Sequence, residues 1–380
     1  MIVKSYFPSQ VVSDLEKMSY DYGLKVAKAI EAEWFHTERG TNRYTTNHNN
    51  FHNLKLYARG EQSIQKYKDE LSINGDLSYL NLDWKPVPII PKFVDIVVNG
   101  IAERMYDVKA YSQDPFGVTK RTEYMESVLR DMQTREFNDM AQAEFNIDLY
   151  ENNKEDLPDT QEELELHMQL SYKQAVEIAE EQALNTLFKG NKYELVKKQF
   201  YYDLTVLGIG AVKTSFNTSE GVVIDYVDPA DLVYSYTESP YFDDIYYVGE
   251  VKTIPINELV KQFPHLDQNE LEEIVQNKSY HKTNYNQGYN RHEHDINKVQ
   301  ILYFNYKTYM NETYKVKETG TGADKVLSKD DTFNPPQDME GGFGKLQKSV
   351  ECLYEGALVL GTGKLLKWEM AKNMMRPKSD

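Results

Sequence analysis

The sequence predicts an α+β fold, with helices through its first half and a mostly antiparallel β region in its second. Apolar residues recur at helical spacing up to Leu207, and beyond Val222 short runs rich in Tyr, Val and Ile alternate with turn residues. Gly208-Ile-Gly210 stands between the two patterns. Glycine takes positive φ without a Cβ clash, so Gly208 suits a helix exit and Gly210 a sharp turn into the sheet.

The helical half reads in order. Leu24, Ala27, Ile30 and Trp34 mark a helix across residues 10–35. Phe51, Leu54 and Tyr57 mark a second helix stopped at Gly60, and Ile64, Tyr67 and Leu71 a third. Pro86, Pro88 and Pro91 impose extended backbone, because proline lacks a donor and biases its predecessor away from the helical region. Phe93, Val94, Val97, Val98, Ile101 and Met105 form a strongly apolar helix face. A short strand at 108–111 and a helix at 120–145, with Val128, Met132 and Met140 inward, are expected next. The polar connector 152–159 leads to Thr160-Gln-Glu-Glu163, a capping-box pattern. From Gln161 to Lys189 the pattern predicts one continuous helix, about 40 Å long, with Leu164, Met168, Tyr172, Ala175, Ala179, Ala183 and Leu187 as its buried stripe. Tyr193 to Leu207 gives the next helix.

Beyond it, a strand from Ala211 turns at Asn217-Thr-Ser-Glu-Gly221 into a second strand closing on Val227-Asp228-Pro229. Asp before proline is a turn-former, so Gly208, Gly210, Asp228 and Pro229 are expected to form a structural joint between the helical and β parts. Further strands are expected at 232–236, 245–252 and 299–309, and short helices at 255–263 and 267–277. Residues 278–294 and 320–344 lack apolar periodicity and read as long polar loops. Residues 350–354 and 357–360 read as a hairpin around Glu355-Gly356. The expected organisation is therefore 1–150 as an N-terminal helical part, 151–208 as a long-helix pair and 209–380 as a β-rich part with long polar loops.

With 380 residues the chain can bury a sizeable core. Its net charge of −17 argues against a nucleic-acid grip over most of the surface, because phosphate contacts need Lys and Arg. The 29 tyrosines supply large contact surfaces with a hydroxyl that tolerates water, which suits half-buried strands and extensive interfaces alike. The single cysteine, Cys352, allows no intramolecular disulfide and reads as a small buried apolar residue. No run approaches 18 apolar residues and the N-terminus carries no signal-peptide pattern, so a soluble intracellular protein without membrane partners is expected.

The chemistry-bearing residues form no recognisable catalytic pattern. Gly208-Ile-Gly210 follows a helix and precedes a strand, the reverse of a phosphate loop, and has no Walker lysine. His281, His292 and His294 share a polar loop whose His-x-His spacing admits a metal, but a solvated loop is the simpler reading. Asp225, Asp228, Asp231, Asp243 and Asp244 gather around the hairpin; paired carboxylates could bind Mg²⁺ or do acid–base work, whereas turn chemistry explains them without a ligand. No catalytic residue, cofactor or metal is expected, and Lys189, Lys192, Lys197 and Lys198 form at most a local basic edge.

Phe200-Tyr-Tyr-Asp-Leu-Thr-Val-Leu-Gly-Ile-Gly-Ala-Val-Lys213, followed by Val222-Val-Ile-Asp-Tyr-Val-Asp-Pro-Ala-Asp231, resembles the wing region of tailed-bacteriophage portal proteins. The likeness extends upstream to Asn53-Leu-Lys-Leu-Tyr-Ala-Arg-Gly-Glu-Gln62 and to Pro88-Ile-Ile-Pro-Lys-Phe-Val-Asp-Ile-Val-Val-Asn-Gly100. Downstream it takes in Asp243-Asp-Ile-Tyr-Tyr-Val-Gly-Glu250 and Ile256-Asn-Glu-Leu-Val-Lys-Gln-Phe-Pro264. The order of these segments carries the likeness, and its flavour is nearest to short-tailed and crAss-like phage portals. The resemblance implies a non-enzymatic vertex component of the virion, assembled in the host cytoplasm as a homo-oligomeric ring, a dodecamer in the family. It further implies contacts with the major capsid protein, the terminase large subunit and head–tail adaptor proteins, and double-stranded DNA that passes through and is held weakly. The family's wing, stem, clip and crown are represented here by wing segments alone, so an N-terminal part of a longer protein is expected. The competing expectations are a carboxylate- or metal-dependent DNA-processing enzyme and a general virion structural or tail protein.

Overall fold

The structure, a computed structural model, describes residues 6–36, 42–72, 83–85, 87–103, 108–147, 149–153, 157–170, 172–217, 221–276, 298–318, 324–334 and 344–371. Helices and antiparallel strands combine in an α+β fold. The chain forms two compact units: residues 1–97, 202–211 and 226–380 make the first, and residues 98–201 and 212–225 the second.

The first unit is built on an antiparallel sheet. Strands β3 (Leu232–Tyr234), β4 (Tyr247–Pro255), β5 (Lys298–Glu318), β7 (Gly344–Val359) and β8 (Lys364–Met370) lie in the order β3-β4-β5-β7-β8, and β6 (Asp324–Lys329) pairs with the far end of β5. Alternation along β5 loads both faces. Leu302, Phe304 and Tyr306 pack with Tyr247 and Leu358 against Val26, Ile30 and Trp34 of helix α2 (Tyr20–Phe35). Val299 and Ile301 face the other way, onto Leu259 and Ile274 of helices α11 (Ile256–Gln262) and α12 (Gln268–Gln276). Two close approaches fix this packing. A Cβ on Gly23 of α2 would lie 2.3 Å from the Trp368 ring, and one on Gly356 of β7 would lie 2.2 Å from the Phe304 ring.

Gly356 explains why the expected hairpin around Glu355-Gly356 is wrong. It is a strand glycine that admits the Phe304 ring, so β7 runs straight through, and the chain turns instead near Gly361 and Gly363, at φ +91° and +64°. β5 also exceeds its expected span, because its outer half pairs with β7 and with β6; the latter falls inside the stretch expected to be a loop over 320–344. Residues 335–343 of that stretch, and the whole 278–294 loop with His281, His292 and His294, lie outside the described residues.

The second unit contains α6 (Pro115–Gln133), α7 (Arg135–Phe145), α8 (Gln161–Leu170) and α9 (Ala175–Gly190). The predicted helix over 120–145 is divided at Thr134, whose hydroxyl bonds the Arg130 carbonyl at 2.8 Å and competes with the regular ladder. The predicted continuous helix from Gln161 to Lys189 is likewise two helices. Glu177 starts the second one: its Oε2 accepts from the Gln174 amide at 2.9 Å and its Oε1 from the Ser112 amide at 2.8 Å, fixing a new N-terminus. The expected stripe therefore splits. Leu164 and Met168 are buried with Val128 and Leu157, whereas Ala175, Ala179 and Ala183 are exposed. At Thr160 the anticipated capping box forms in altered register, with the Glu163 amide donating to the Thr160 hydroxyl and the Glu163 carboxylate accepting from the Asp159 amide. The segment 108–111 is not a strand; the Ala110 amide bonds the Glu181 carboxylate at 3.1 Å.

Candidate functional site

Helix α3 (Arg43–Arg59) opens on Asn42, whose side chain accepts from the Thr45 amide, and ends on Gly60 at φ +73°. Its mean polarity is high, yet Tyr44, His48 and Lys55 fall four and seven residues apart on one side and face inward. The partners come from three later segments of the same unit. Asp203 sits in the last turns of α10 (Tyr193–Leu207), Tyr226 closes β2 (Gly221–Val227), and Asp228 and Asp231 flank the 3₁₀ turn Pro229–Asp231.

Lys55 is the hub. Its Nζ lies 2.8 and 2.9 Å from the two oxygens of Asp228 and 3.3 Å from Asp203. Tyr226 donates its hydroxyl to the other Asp203 oxygen. The Asp203 side chain is only 2% exposed, and burial raises its pKa despite the opposing effects of Tyr226 and Lys55. Tyr44 donates to Asp231 Oδ1 at 2.9 Å, and His48 Nε2 lies 3.7 Å from the same oxygen. Burial pushes Asp231 up to about 6 and pulls His48 down, so near neutral pH a neutral imidazole faces a mostly ionised carboxylate, which takes up its proton as pH falls below 6. His48 Nδ1 is buried and lacks a partner among the described residues.

The expected joint residues are brought together here in part. Asp228 accepts from the Ala230 amide at 2.9 Å, the anticipated turn chemistry, and Pro229 follows it, buried. Gly208 ends α10 at φ +76°, with its amide bonded to the Leu204 carbonyl. Gly210 is not among the positive-φ residues; the left-handed step is completed at Gly208, and Gly210 leads directly into β1 (Ala211–Asn217) in ordinary backbone. In the second unit the hairpin of β1 and β2 is tied down by Asn191, which bonds the Val222 carbonyl and the Ile224 amide, both at 3.0 Å.

The five aspartates do not converge. Asp225 is exposed, and Asp244 closes a separate turn by accepting from Thr237 and from the Glu238 amide. Among the described residues no group of three His, Cys, Asp or Glu side chains is placed to hold a metal. Where a cation would sit between Asp203 and Asp228, the Lys55 ammonium already sits. Cys352 is buried, its thiol pushed up to about 11, which leaves it unreactive at neutral pH. Lys197 does not join the expected basic edge; its Nζ is buried on the Ala102 carbonyl.

Lys55, Asp203, Tyr44, His48 and Tyr226 were not singled out by the sequence. Leu54 and Tyr57, expected to mark the apolar side of this helix, are exposed, and Tyr44, His48 and Lys55 recur on the side that faces inward. No protein-family profile matches the chain, and no curated protein matches it. Among the described residues, no helix is long and apolar enough to cross a membrane.

Proposed function

We propose that the chain is a portal-type subunit of a tailed bacteriophage, a non-enzymatic ring component at a capsid vertex through which genomic DNA passes. One observation carries this reading: the Val-Asp-Pro turn that anchors the resemblance is occupied by structural bonds. Asp228 caps its own turn and receives Lys55, and Asp203 is held by Lys55 and Tyr226, so the carboxylates lock α3, α10 and the hairpin exit together. A carboxylate enzyme needs such oxygens open to a cation or substrate. The chain order around this lock, helix, Gly-x-Gly, hairpin, Val-Asp-Pro, supports the portal reading over a tail or general virion protein.

Ring formation draws support from the second unit. Among the described residues its apolar cluster has Val128, Leu157, Leu164 and Met168 at its centre, while Phe116, Phe137, Met140, Phe145 and Leu166 are exposed. Large exposed side chains on several helices of a small-cored unit are the signature of surfaces covered on assembly. The partners of this reading are further copies of the chain, the major capsid protein, the terminase large subunit, head–tail adaptors and weakly held duplex DNA.

Electron microscopy of the purified protein without added metal tests it. Closed rings are expected, and Asp228→Asn should lower stability without creating or abolishing any Mg²⁺ dependence. Monomers that cleave DNA only with Mg²⁺, and lose that activity in Asp228→Asn, would overturn it.

A further inference from the structure

The polar cluster against helix α3 holds more carboxyl groups than an ion pair needs. Lys55 Nζ lies 3.3 Å from Asp203 Oδ1 and 2.8 and 2.9 Å from the two oxygens of Asp228. Among the described residues it is the one ammonium paired with them, so two carboxyl groups meet a single cation. Their surroundings differ. The Asp203 side chain is almost fully buried and that of Lys55 is 14% exposed, whereas that of Asp228 is 39% exposed. Burial raises the pKa of Asp203, against the effects of Tyr226 and Lys55, and so favours its uncharged acid.

An amine, an uncharged acid and a carboxylate open to solvent are the parts of an amide condensation. The uncharged acid is the form of a carboxyl group that an amine can attack. In water the two groups seldom meet productively, but groups held about 3–3.5 Å apart gain many orders of magnitude in rate from proximity alone. Lys55 and Asp203 are held so, from two different helices, α3 and α10.

We propose that Lys55 and Asp203 condense into an intramolecular isopeptide bond, with Asp228 as the base and Tyr226 polarising the acid. Asp228 takes a proton from the Lys55 ammonium, and the freed amine attacks Asp203 Cγ. The Tyr226 hydroxyl already donates to Asp203 Oδ2, where negative charge gathers as the tetrahedral intermediate forms. The C–N bond forms and the C–Oδ1 bond breaks. That oxygen leaves as water, with its own proton and one from the nitrogen, and Asp228 returns its proton to solvent. Ammonium and acid thus become a neutral amide, one water and one proton, with no oxidant or co-reactant consumed. The bond ties α3 to α10 covalently and removes the buried charge of the ion pair.

Intact-mass measurement on the denatured full chain tests it, followed by tandem mass spectrometry of a digest. The wild type should be lighter than its sequence by one water, with a branched peptide joining Lys55 to Asp203. Lys55→Arg and Asp203→Ala should each restore the full mass. Asp228→Asn should lower the linked fraction at least about tenfold at equal time after synthesis. The wild-type mass requires no substitution, so it decides the matter even where a variant fails to fold. A wild type at full sequence mass overturns the bond and leaves an ion pair alone. A lost water that maps to a succinimide, or to Lys55 joined to Asp228, overturns it as well. An Asp228→Asn chain linked as fully as the wild type overturns the role given to Asp228.

Discussion

The two units solve the problem of stability in different ways. The first encloses its sheet between α2 on one face and α11 and α12 on the other, so Trp34, Leu302, Ile301 and Leu358 are fully buried. Among its described residues the second has one small apolar cluster and several polar locks. Asp131, 2% exposed, accepts from the amides of Glu151 and Asn152 and from the Asn152 side chain, and Glu177 joins Gln174 to Ser112. Polar locks specify geometry but contribute modest net stability, roughly 1 kcal/mol each. The described apolar core of the first unit is larger than that of the second.

The largest expected effect is in the first unit. Trp34→Ala should cost about 3–5 kcal/mol, because it removes a buried indole together with the bond its nitrogen donates to the Tyr247 hydroxyl at 3.0 Å. Chemical denaturation followed by circular dichroism measures it. A loss comparable to that of an exposed-site substitution would break the contrast between the units.

Next comes the joint. Lys55→Met should cost roughly 3 kcal/mol, because it strands the buried Asp203 and removes the partner of Asp228. Adding Asp203→Asn should recover part of that loss in a double-mutant cycle. Strict additivity would show that the ion pair is not coupled.

In the second unit, Asp131→Ala should cost about 1–2 kcal/mol in the monomer. The smaller figure follows from the thinner packing around it, and a cost equal to that of Trp34→Ala would erase the distinction. Between the glycines, Gly208→Val should cost on the order of 1 kcal/mol or more, since valine strains at φ +76°, and Gly210→Val should cost less.

The smallest effect is a pH dependence. Asp231 is raised from its ordinary value to about 6, so the folded state binds its proton more tightly than the unfolded chain does. Its contribution to stability thus rises as pH falls through 6 toward 4. Measured against Asp231→Asn, the wild type should gain in thermal midpoint between pH 7 and pH 5. The opposite trend would mean that the carboxylate is held charged by His48.

These regions also differ in how far the sequence disclosed them. Helix ends written in glycine were legible: Gly60 and Gly208 both take the left-handed conformation expected of them. So were Asp228-Pro229, because a turn is made from adjacent residues. What escaped was set by distant partners. The break before Ala175 depends on the Ser112 amide reaching Glu177, and the straight course of β7 depends on the Phe304 ring over Gly356. Lys55 gave no local sign of its role, since Asp203 and Asp228 lie far along the chain. Periodicity shows which face an element buries, not which charged group waits on the other side.

The proposed assembly implies that the second unit gains burial against other copies, whereas the sheet of the first is enclosed within one chain. Hydrogen exchange, read on dissociated protein at high dilution and on assembled protein at high concentration, tests it most directly. Strands β4, β5 and β8 should be strongly protected in both states, while α6, α7, α8 and α9 should gain protection only on assembly. Equal protection of those helices in both states would contradict the account.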